Sequence, residues 1–312
     1  MAFGKIPQLP TAQEIIDHAL ASGRRTRVRK KFDDDALAIK RKKERERLTA
    51  ISTDLRGRLK SFSKQFPSYD DLNEFYRELF ANDIDVDQYK RVLGRSHSSA
   101  DVIARVSRSA RGRLDAASSV PEVHEAMRSC IGRLCSAVEA LADDLVWLEQ
   151  VRRTIDNYPV VKETFTVCIA GFPNVGKTTL FAQFTGSQAE VNSYAFTTKR
   201  LNVGYRLFEH HKVQLIDTPG TLNRDHMNAI ERQAHLALKY VADLILYVYD
   251  PTEQYTKQQQ EALRATMDEY RAPVLSYVSK KDLVNQEQLE AFVGDKVTVS
   301  ADELFARIKQ ML

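Results

Sequence analysis

The chain has 312 residues, 28% of them charged and 43% hydrophobic, which excludes the composition of a disordered protein. Its formal net charge is only +4, and its three cysteines are an odd number without metal-ligand spacing, which argues against a disulfide framework or a zinc site. No run of ~18 apolar residues occurs, and residues 1–10 lack the apolar core of a signal peptide, so we expect a cytoplasmic protein without a membrane partner.

The first half of the chain has the hydrophobic spacing of amphipathic helices. Thr11 and Glu14 form a capping-box pattern that predicts the start of the first helix, and Gly23 is suited to its end. Apolar residues between 127 and 155 alternate steps of three and four, which predicts one helix of about seven turns. Because one helix cannot bury so long a stripe, we predict an all-α helical bundle over residues 1–158. Three further helices are predicted around residues 48–62, 72–79 and 103–114.

Two basic segments lie within this helical half. Residues 24–31 contain no acid, and a cluster of this kind suits a polyanion such as RNA. Residues 40–47 include two glutamates and fit a solvated helix face as well as an RNA contact. The candidate RNA-binding residues are the six Arg and Lys side chains of the first segment: Arg24, Arg25, Arg27, Arg29, Lys30 and Lys31.

After Pro159, short β-rich runs alternate with helical stretches. This alternation predicts an α/β domain over residues 159–312, with a mostly parallel sheet and helices on both faces. The predicted strands are 164–170, 213–216, 244–249, 274–278 and 296–299. The predicted helices are 177–184, 230–240 and 258–269.

Residues 171–178 fit the phosphate-binding pattern G-x-x-x-x-G-K-[ST], between a predicted strand and a predicted helix. The backbone N–H groups of such a loop bind phosphate oxygens at a helix N-terminus. Lys177 is predicted to reach the β- and γ-phosphates of a nucleoside triphosphate, and the Thr178 hydroxyl to bind Mg²⁺. The candidate phosphate-binding residues are Asn174, Val175, Gly176, Lys177, Thr178 and Thr179.

The sequence Asp217-Thr-Pro-Gly220 follows a predicted apolar strand, as the magnesium motif of this protein class requires. Asp217 is predicted to hold Mg²⁺ through water, and Gly220 to place its N–H near the γ-phosphate. We predict that Thr198 senses Mg²⁺ and the γ-phosphate, with Thr197 as the alternative. Lys177, Thr198 and Gly220 are therefore candidate catalytic residues, and Thr178, Thr198 and Asp217 are candidate Mg²⁺ ligands.

Ser279-Lys280-Lys281-Asp282 stands where G proteins usually have N-K-x-D. The Asp282 carboxylate can accept hydrogen bonds from guanine N1–H and the 2-amino group, and adenine offers neither donor. Lys280 can lay its stem along the base. Because Ser279 lacks the amide that would tie the loops together, we expect weaker guanine affinity, and an ATPase stays an alternative. The backbone of Ser300-Ala301 is predicted to meet the guanine oxygen.

With these motifs, the chain resembles the nucleolar GTP-binding (Nog) family of the Obg–HflX G proteins, as a compact archaeal-type member. Two further segments carry the resemblance: Tyr194-Ala-Phe-Thr-Thr-Lys199 and Leu9-Pro-Thr-Ala-Gln-Glu-Ile-Ile-Asp17. The resemblance covers nearly the whole chain. It implies hydrolysis of GTP to GDP and phosphate by a slow switch protein. It also implies a role in assembling the large ribosomal subunit, with that subunit or its precursor and ribosomal RNA as partners.

Many small G proteins place a glutamine just after D-x-x-G to orient the attacking water, but here Thr221 and Leu222 follow. A partner or a bound cation must then supply this positioning. In relatives that use potassium, an asparagine at the position of Asn174 is an ion ligand, so the resemblance raises K⁺ as a second cofactor. The alternative is an RNA-binding module that nucleotide stabilises and in which hydrolysis is incidental.

Overall fold

The structure is a computed structural model that describes residues 6–27, 35–185, 201–208, 210–220, 229–252, 255–292, 297–298 and 300–312. Its packing divides the chain into two compact units. One combines Phe3–Asp71 with Phe80–Tyr158, and the other combines Leu72–Leu79 with Pro159–Leu312. Residues Leu72–Leu79 were expected in the helical domain, but they group with the α/β unit.

A tyrosine explains part of this grouping. The Tyr76 hydroxyl donates to the carbonyl oxygen of Pro159 and accepts from the backbone N–H of Val161, both at 2.9 Å. Tyr76 is 1% exposed, so these polar groups are satisfied inside the α/β unit.

The first half of the described chain is helical, as predicted. The helices are α1 (Ala12–Arg24), α2 (Ala36–Gln65), α3 (Glu74–Asp83), α4 (Val86–Ala116), α5 (Val120–Glu139) and α6 (Ala142–Asp156). The capping box of Thr11 and Glu14 is present. Gly23 lies within the last turn of α1, where a Cβ would stand 2.6 Å from Ile51 of α2. The glycine therefore permits close packing of α1 on α2.

The single helix predicted over residues 127–155 is wrong, because the chain leaves the helix between α5 and α6. Leu141 has φ −102° and ψ 5°, and its N–H donates to Val138 rather than one residue further back. Arg95 of α4 holds the break, since it donates to the Ala140 carbonyl at 3.2 Å and to Asp144 at 3.1 Å. Leu141 is 1% exposed, so the apolar stripe continues across the break, and the hydrophobic pattern of the sequence does not reveal it.

The α/β unit contains a six-stranded sheet in the order β2-β3-β1-β4-β5-β6. Among the strands that the structure describes, only β2 and β3 pair in antiparallel orientation. The strands are β1 (Thr166–Ala170), β2 (Asn202–Phe208), β3 (His211–Asp217), β4 (Leu244–Tyr249), β5 (Val274–Val278) and β6 (Val297–Thr298). Five match predicted strands, whereas β2 was not predicted. Gly204 lies inside β2, and a Cβ there would stand 2.8 Å from Phe181.

Helices α7 (Lys177–Thr185), α8 (Ala229–Tyr240), α9 (Lys257–Thr266), α10 (Gln286–Phe292) and α11 (Ala301–Gln310) complete this unit. The predicted helix 258–269 ends earlier, in a 3₁₀ turn over Met267–Glu269, and α10 and α11 were not predicted. Buried residues of β1 and β4 pack with Phe184 of α7 and Ile308 of α11. The five parallel strands β1, β3, β4, β5 and β6 end at one edge of the sheet, and the predicted nucleotide motifs follow four of them, β1, β3, β5 and β6.

Candidate nucleotide-binding site

The phosphate-binding loop leaves β1 through left-handed backbone conformations. The φ angles of Gly171, Asn174 and Gly176 are 145°, 61° and 92°. At Gly171 a Cβ would stand 2.6 Å from the carbonyl oxygen of Val248 on β4. Glycine therefore allows the loop to turn tightly over the neighbouring strand and into α7, which begins at Lys177.

The Lys177 ammonium lies within this loop. Its Nζ donates to the carbonyl oxygens of Gly171 at 3.1 Å and Phe172 at 2.6 Å, and the residue is 7% exposed. Burial lowers the pKa of Lys177 to about 8, and the negative charge of Asp217 acts in the opposite sense. Because both hydrogen-bond acceptors are neutral, the positive charge is available to an anion in the loop.

Asp217 meets Thr178 at the end of β3. Asp217 Oδ2 accepts from Thr178 Oγ1 at 2.8 Å and from Asn202 Nδ2 at 3.2 Å. Burial raises the pKa of Asp217, while these two hydrogen bonds and the charge of Lys177 lower it. Asn202 was missed by sequence reasoning because it becomes a neighbour of Asp217 only through the β2–β3 register.

The donor set fits a hard divalent cation. Asp217 Oδ1 is buried and has no hydrogen-bond partner among the described residues, so this oxygen is available as a ligand for a cation. Mg²⁺ takes oxygen ligands and is usually bound by one or two protein groups plus substrate phosphates. Among the described residues, no cluster of three or more His, Cys, Asp or Glu side chains could hold a metal ion.

Gly220 approaches the phosphate loop backbone to backbone. A Cβ at this position would overlap Pro173 and come within 2.6 Å of the carbonyl carbon of Phe172. The structure therefore brings Gly220 to the loop that contains Lys177 and Thr178. Thr198 and its alternative Thr197 lie outside the described residues.

Ser279 connects the base loop, residues 279–282, to the phosphate loop, residues 171–178. Its hydroxyl lies 2.6 Å from the Val175 carbonyl oxygen and 2.9 Å from that of Tyr249, and Ser279 is 7% exposed. The expectation that serine leaves these loops untied is therefore wrong, because the short hydroxyl reaches the phosphate loop directly. The expected weakening of guanine affinity stays a prediction.

Lys280 follows in a left-handed turn with φ 49°, and its Nζ lies 2.6 Å from Asp250 Oδ2. Asp282 is exposed in the turn after it. Strand β6 pairs with β5 next to this loop, so Ser300 and Ala301 leave the sheet at the same edge. Asp250 was not singled out from the sequence, because no nucleotide motif includes it.

The basic segment is only partly described. Arg24, Arg25 and Arg27 are exposed, whereas Arg29, Lys30 and Lys31 lie outside the described residues.

A groove of about 670 Å³ lies between α2 and α4 in the same helical unit. Two of its arginines donate to neutral oxygens, Arg41 to the Ala117 carbonyl and Arg111 to the Thr49 hydroxyl. Arg45 pairs with Asp115 at 3.2 Å. The groove therefore presents guanidinium groups, only part of whose charge is neutralised by these contacts.

Two family models match the chain, the NOG1 N-terminal helical domain over residues 3–162 and a 50S ribosome-binding GTPase over residues 166–280. An uncharacterized protein of Methanocaldococcus jannaschii is 30% identical, covering 92% of this chain and 83% of its own length. Nucleolar GTP-binding protein 1 of Drosophila melanogaster is also 30% identical over 92% of this chain, but the match covers only 45% of the fly protein.

Among solved structures, the cytosolic domain of the T. maritima FeoB iron transporter in a GDP form matches with 26% identity and a TM-score of 0.38. That match covers 47% of this chain and 63% of the FeoB chain. None of the helices that the structure describes has the length and apolarity of a membrane span. An all-α domain precedes a P-loop G domain, and each matches its family model. The chain therefore belongs to the nucleolar GTP-binding (Nog) family as a GTP-binding protein.

Proposed function

We propose that this chain hydrolyses GTP to GDP and phosphate and acts as a switch in the assembly of the large ribosomal subunit. The observation that carries the proposal is the convergence of Lys177, Thr178, Asp217 and Gly220 at one edge of the sheet. Ser279 connects this cluster to the base loop. The residues proposed to bind the triphosphate and those proposed to bind the base therefore lie at the same edge of the sheet.

Each residue has a role that follows from its surroundings. Lys177 exchanges neutral carbonyl acceptors for the β- and γ-phosphate oxygens, and Gly220 donates its N–H to the γ-phosphate. Thr178 and Asp217 would hold Mg²⁺, which when bound neutralises charge on the phosphates. Asp282 accepts from the guanine N1–H and 2-amino groups, and the Lys280 stem contacts the ring.

The residues that follow Gly220 favour slow hydrolysis by the chain alone. Thr221 and Leu222 have no side-chain amide to orient water, and they lie outside the described residues. We propose that a ribosomal partner, or K⁺ bound at the exposed Asn174, completes the arrangement. Without such help, the alternative of an RNA-binding module stabilised by nucleotide describes the chain better.

Ribosomal RNA is the proposed partner of the helical unit. Exposed arginines at the end of α1 and the guanidinium groups of the α2–α4 groove support this proposal, because phosphate groups pair with arginine in bidentate geometry. Relatives from Drosophila melanogaster and Saccharomyces cerevisiae are named Nucleolar GTP-binding protein 1, which supports the ribosomal role by analogy. The chain spans less than half the length of those relatives.

Co-sedimentation with ribosomal subunits tests the switch. Wild-type protein should sediment with the large subunit when it carries a non-hydrolysable GTP analogue and should be released with GDP. The Asp282→Asn variant provides the matched control, because its amide can donate to the 2-carbonyl of xanthine instead of accepting from guanine. This variant should follow the corresponding xanthine nucleotides.

Three results would contradict the proposal. Equal sedimentation with the triphosphate analogue and GDP would support the RNA-binding module. Equal competition by ATP would support the ATPase. An Asp282→Asn variant that keeps its GTP response and ignores XTP would remove Asp282 from base recognition.

A further inference from the structure

Asp250 is a fully buried carboxylate directly after β4, and it is 0% exposed. Both of its oxygens are occupied. Oδ1 accepts from the Thr252 N–H at 2.9 Å and from the Thr252 hydroxyl at 2.6 Å, and Oδ2 accepts from Lys280 Nζ at 2.6 Å. A charge buried this deeply is stable only when it is paired and hydrogen-bonded, so the Lys280 ammonium is its required partner.

The backbone of Asp250 is also held on both sides. The Gln260 side-chain amide accepts from the Asp250 N–H at 2.8 Å and donates to the Asp250 carbonyl at 2.7 Å. Gln260 is itself 0% exposed on α9. The carboxylate therefore has a fixed orientation, in which Oδ2 faces the Lys280 ammonium of the base loop.

The backbone and side chain of Lys280 both require support from neighbouring residues. It occupies a left-handed turn with φ 49°, a conformation that is unfavourable for a side chain with a Cβ unless the surroundings impose it. Its side chain is 26% exposed, so the stem is partly accessible while the ammonium is committed to Asp250. A lysine without this partner would sample many rotamers.

The same network reaches the phosphate loop. Gln260 Nε2 also donates to the Tyr255 carbonyl at 3.0 Å, and the Tyr255 ring stacks on Phe172 with centroids 4.3 Å apart and planes inclined by 20°. Phe172 belongs to the phosphate loop, and its carbonyl accepts from Lys177. The segment after β4 therefore touches both the base loop and the phosphate loop.

We infer that Asp250 is a positioning residue for guanine binding, which holds the Lys280 ammonium so that the aliphatic stem is left to contact the purine ring. The inference rests on the proposed role of the base loop. Asp250 acts through Lys280 and contacts no nucleotide itself. Asp250 therefore affects recognition of the guanine base, which GDP and GTP share, so the affinities for the two nucleotides should depend equally on Asp250.

The test measures the affinities of fluorescent GDP and GTP for Asp250→Asn, Lys280→Met and the double variant. Each single change should weaken both affinities by about tenfold, the scale of one hydrogen bond to a charged group, and leave the GTP-to-GDP ratio unchanged. Because the two side chains act as one unit, the double variant should bind within about twofold of the weaker single variant.

Asp243→Asn is the matched control. Asp243 precedes β4 as Asp250 follows it, and its Oδ2 accepts from the Thr166 N–H at 2.8 Å at the opposite end of the sheet. This variant should bind nucleotide as wild type does. Thermal unfolding without nucleotide identifies variants that fail to fold. Thr252→Val is a milder variant that removes one donor to Asp250 and should weaken GDP binding by about threefold.

Independent, multiplicative losses in the double variant would overturn the inference, as would wild-type affinity in both Asp250→Asn and Thr252→Val. An equal loss in Asp243→Asn would also overturn it. If the wild-type chain bound no guanine nucleotide, the proposed function would fail instead, so the two failures are distinguishable.

Discussion

Lys177 shows at the scale of one residue how burial prepares a charge for a ligand. Its ammonium is surrounded by the loop and bonded only to neutral carbonyls, so the charged form is less stable than in water. The pKa of about 8 is below the ordinary lysine value of 10.5. Between these values the unfolded chain binds more protons, so this group makes the free energy of unfolding rise with pH in that window.

The lowered pKa predicts how nucleotide affinity depends on pH. Because the phosphates need protonated Lys177, GTP affinity should fall above about pH 8, approaching tenfold per pH unit, when measured by titration from pH 7 to 9.5. Lys177→Arg keeps its charge across this range and should show a much smaller decline, whatever its affinity at pH 7. This control also corrects for titration of guanine. Parallel declines in the two proteins would contradict the prediction.

Residues within one motif could be predicted, because the motif determines a local backbone path. Lys177, Thr178 and Gly176 are consecutive, and the glycine turn brings them to one point. Asn202 and Asp250 could not be predicted in the same way. Their contacts with Asp217 and Lys280 depend on strand register and on a segment 30 residues away in the chain.

At the scale of an element, the connection from β5 to the base loop has Ser279 where G proteins usually have asparagine, and the serine still bonds to the phosphate loop. Ser279 has a shorter side chain than asparagine, yet its hydroxyl lies 2.6 Å from the Val175 carbonyl oxygen. Ser279 also donates its own N–H to Tyr249 at 2.9 Å. The end of β5 is thereby joined both to β4 and to the phosphate loop.

Ser279→Ala should lower both stability and nucleotide affinity. The change leaves the Val175 carbonyl without this hydroxyl donor, which should reduce the free energy of unfolding by about 1–3 kcal/mol in urea titrations. GDP affinity should fall as well, because the two loops are no longer joined. Ser276→Ala is the control, since Ser276 lies on β5, three residues before Ser279, and is buried to a similar extent. A similar loss of GDP affinity in Ser276→Ala would mean that Ser279 acts only through stability.

Element types were predicted better than element ends. Continuous apolar runs identified β1, β4 and β5, whereas β2 contains Gly204 and pairs at the edge, so its pattern was weak. The break between α5 and α6 has neither Gly nor Pro to mark it. It depends on Arg95, which comes from another helix and is therefore invisible in the local sequence.

At the scale of the whole molecule, charge is distributed unevenly. The chain contains 46 Lys and Arg against 42 Asp and Glu, yet residues 24–31 have six basic side chains and no acid. No aromatic residue lies in this segment to stack on a base, so phosphate contacts are the expected mode of RNA binding.

Replacing Arg24, Arg25, Arg27 and Arg29 by Gln should flatten the salt dependence of RNA binding. Each phosphate contact contributes about 0.7–0.9 to the log–log slope, so the slope should fall by about three to four units. GTP affinity should not change. The control replaces four exposed arginines of α4 and α5, Arg105, Arg108, Arg128 and Arg133, which gives the same change in net charge. Equal flattening in both variants would show that only overall charge matters.

The grouping of Leu72–Leu79 with the α/β unit limits how such a gene can be recombined. A crossover at Pro159 looks like a clean exchange of halves between relatives, but it would separate Tyr76 from the Pro159 carbonyl and the Val161 amide that it bonds. A chimera made at that point would combine Tyr76 of one parent with the Pro159 and Val161 backbone of the other, in a buried position. Functional chimeras should therefore carry residues 72–79 and 159–312 from the same parent. The segments that must be exchanged together are those that pack together, although they are separated in the sequence.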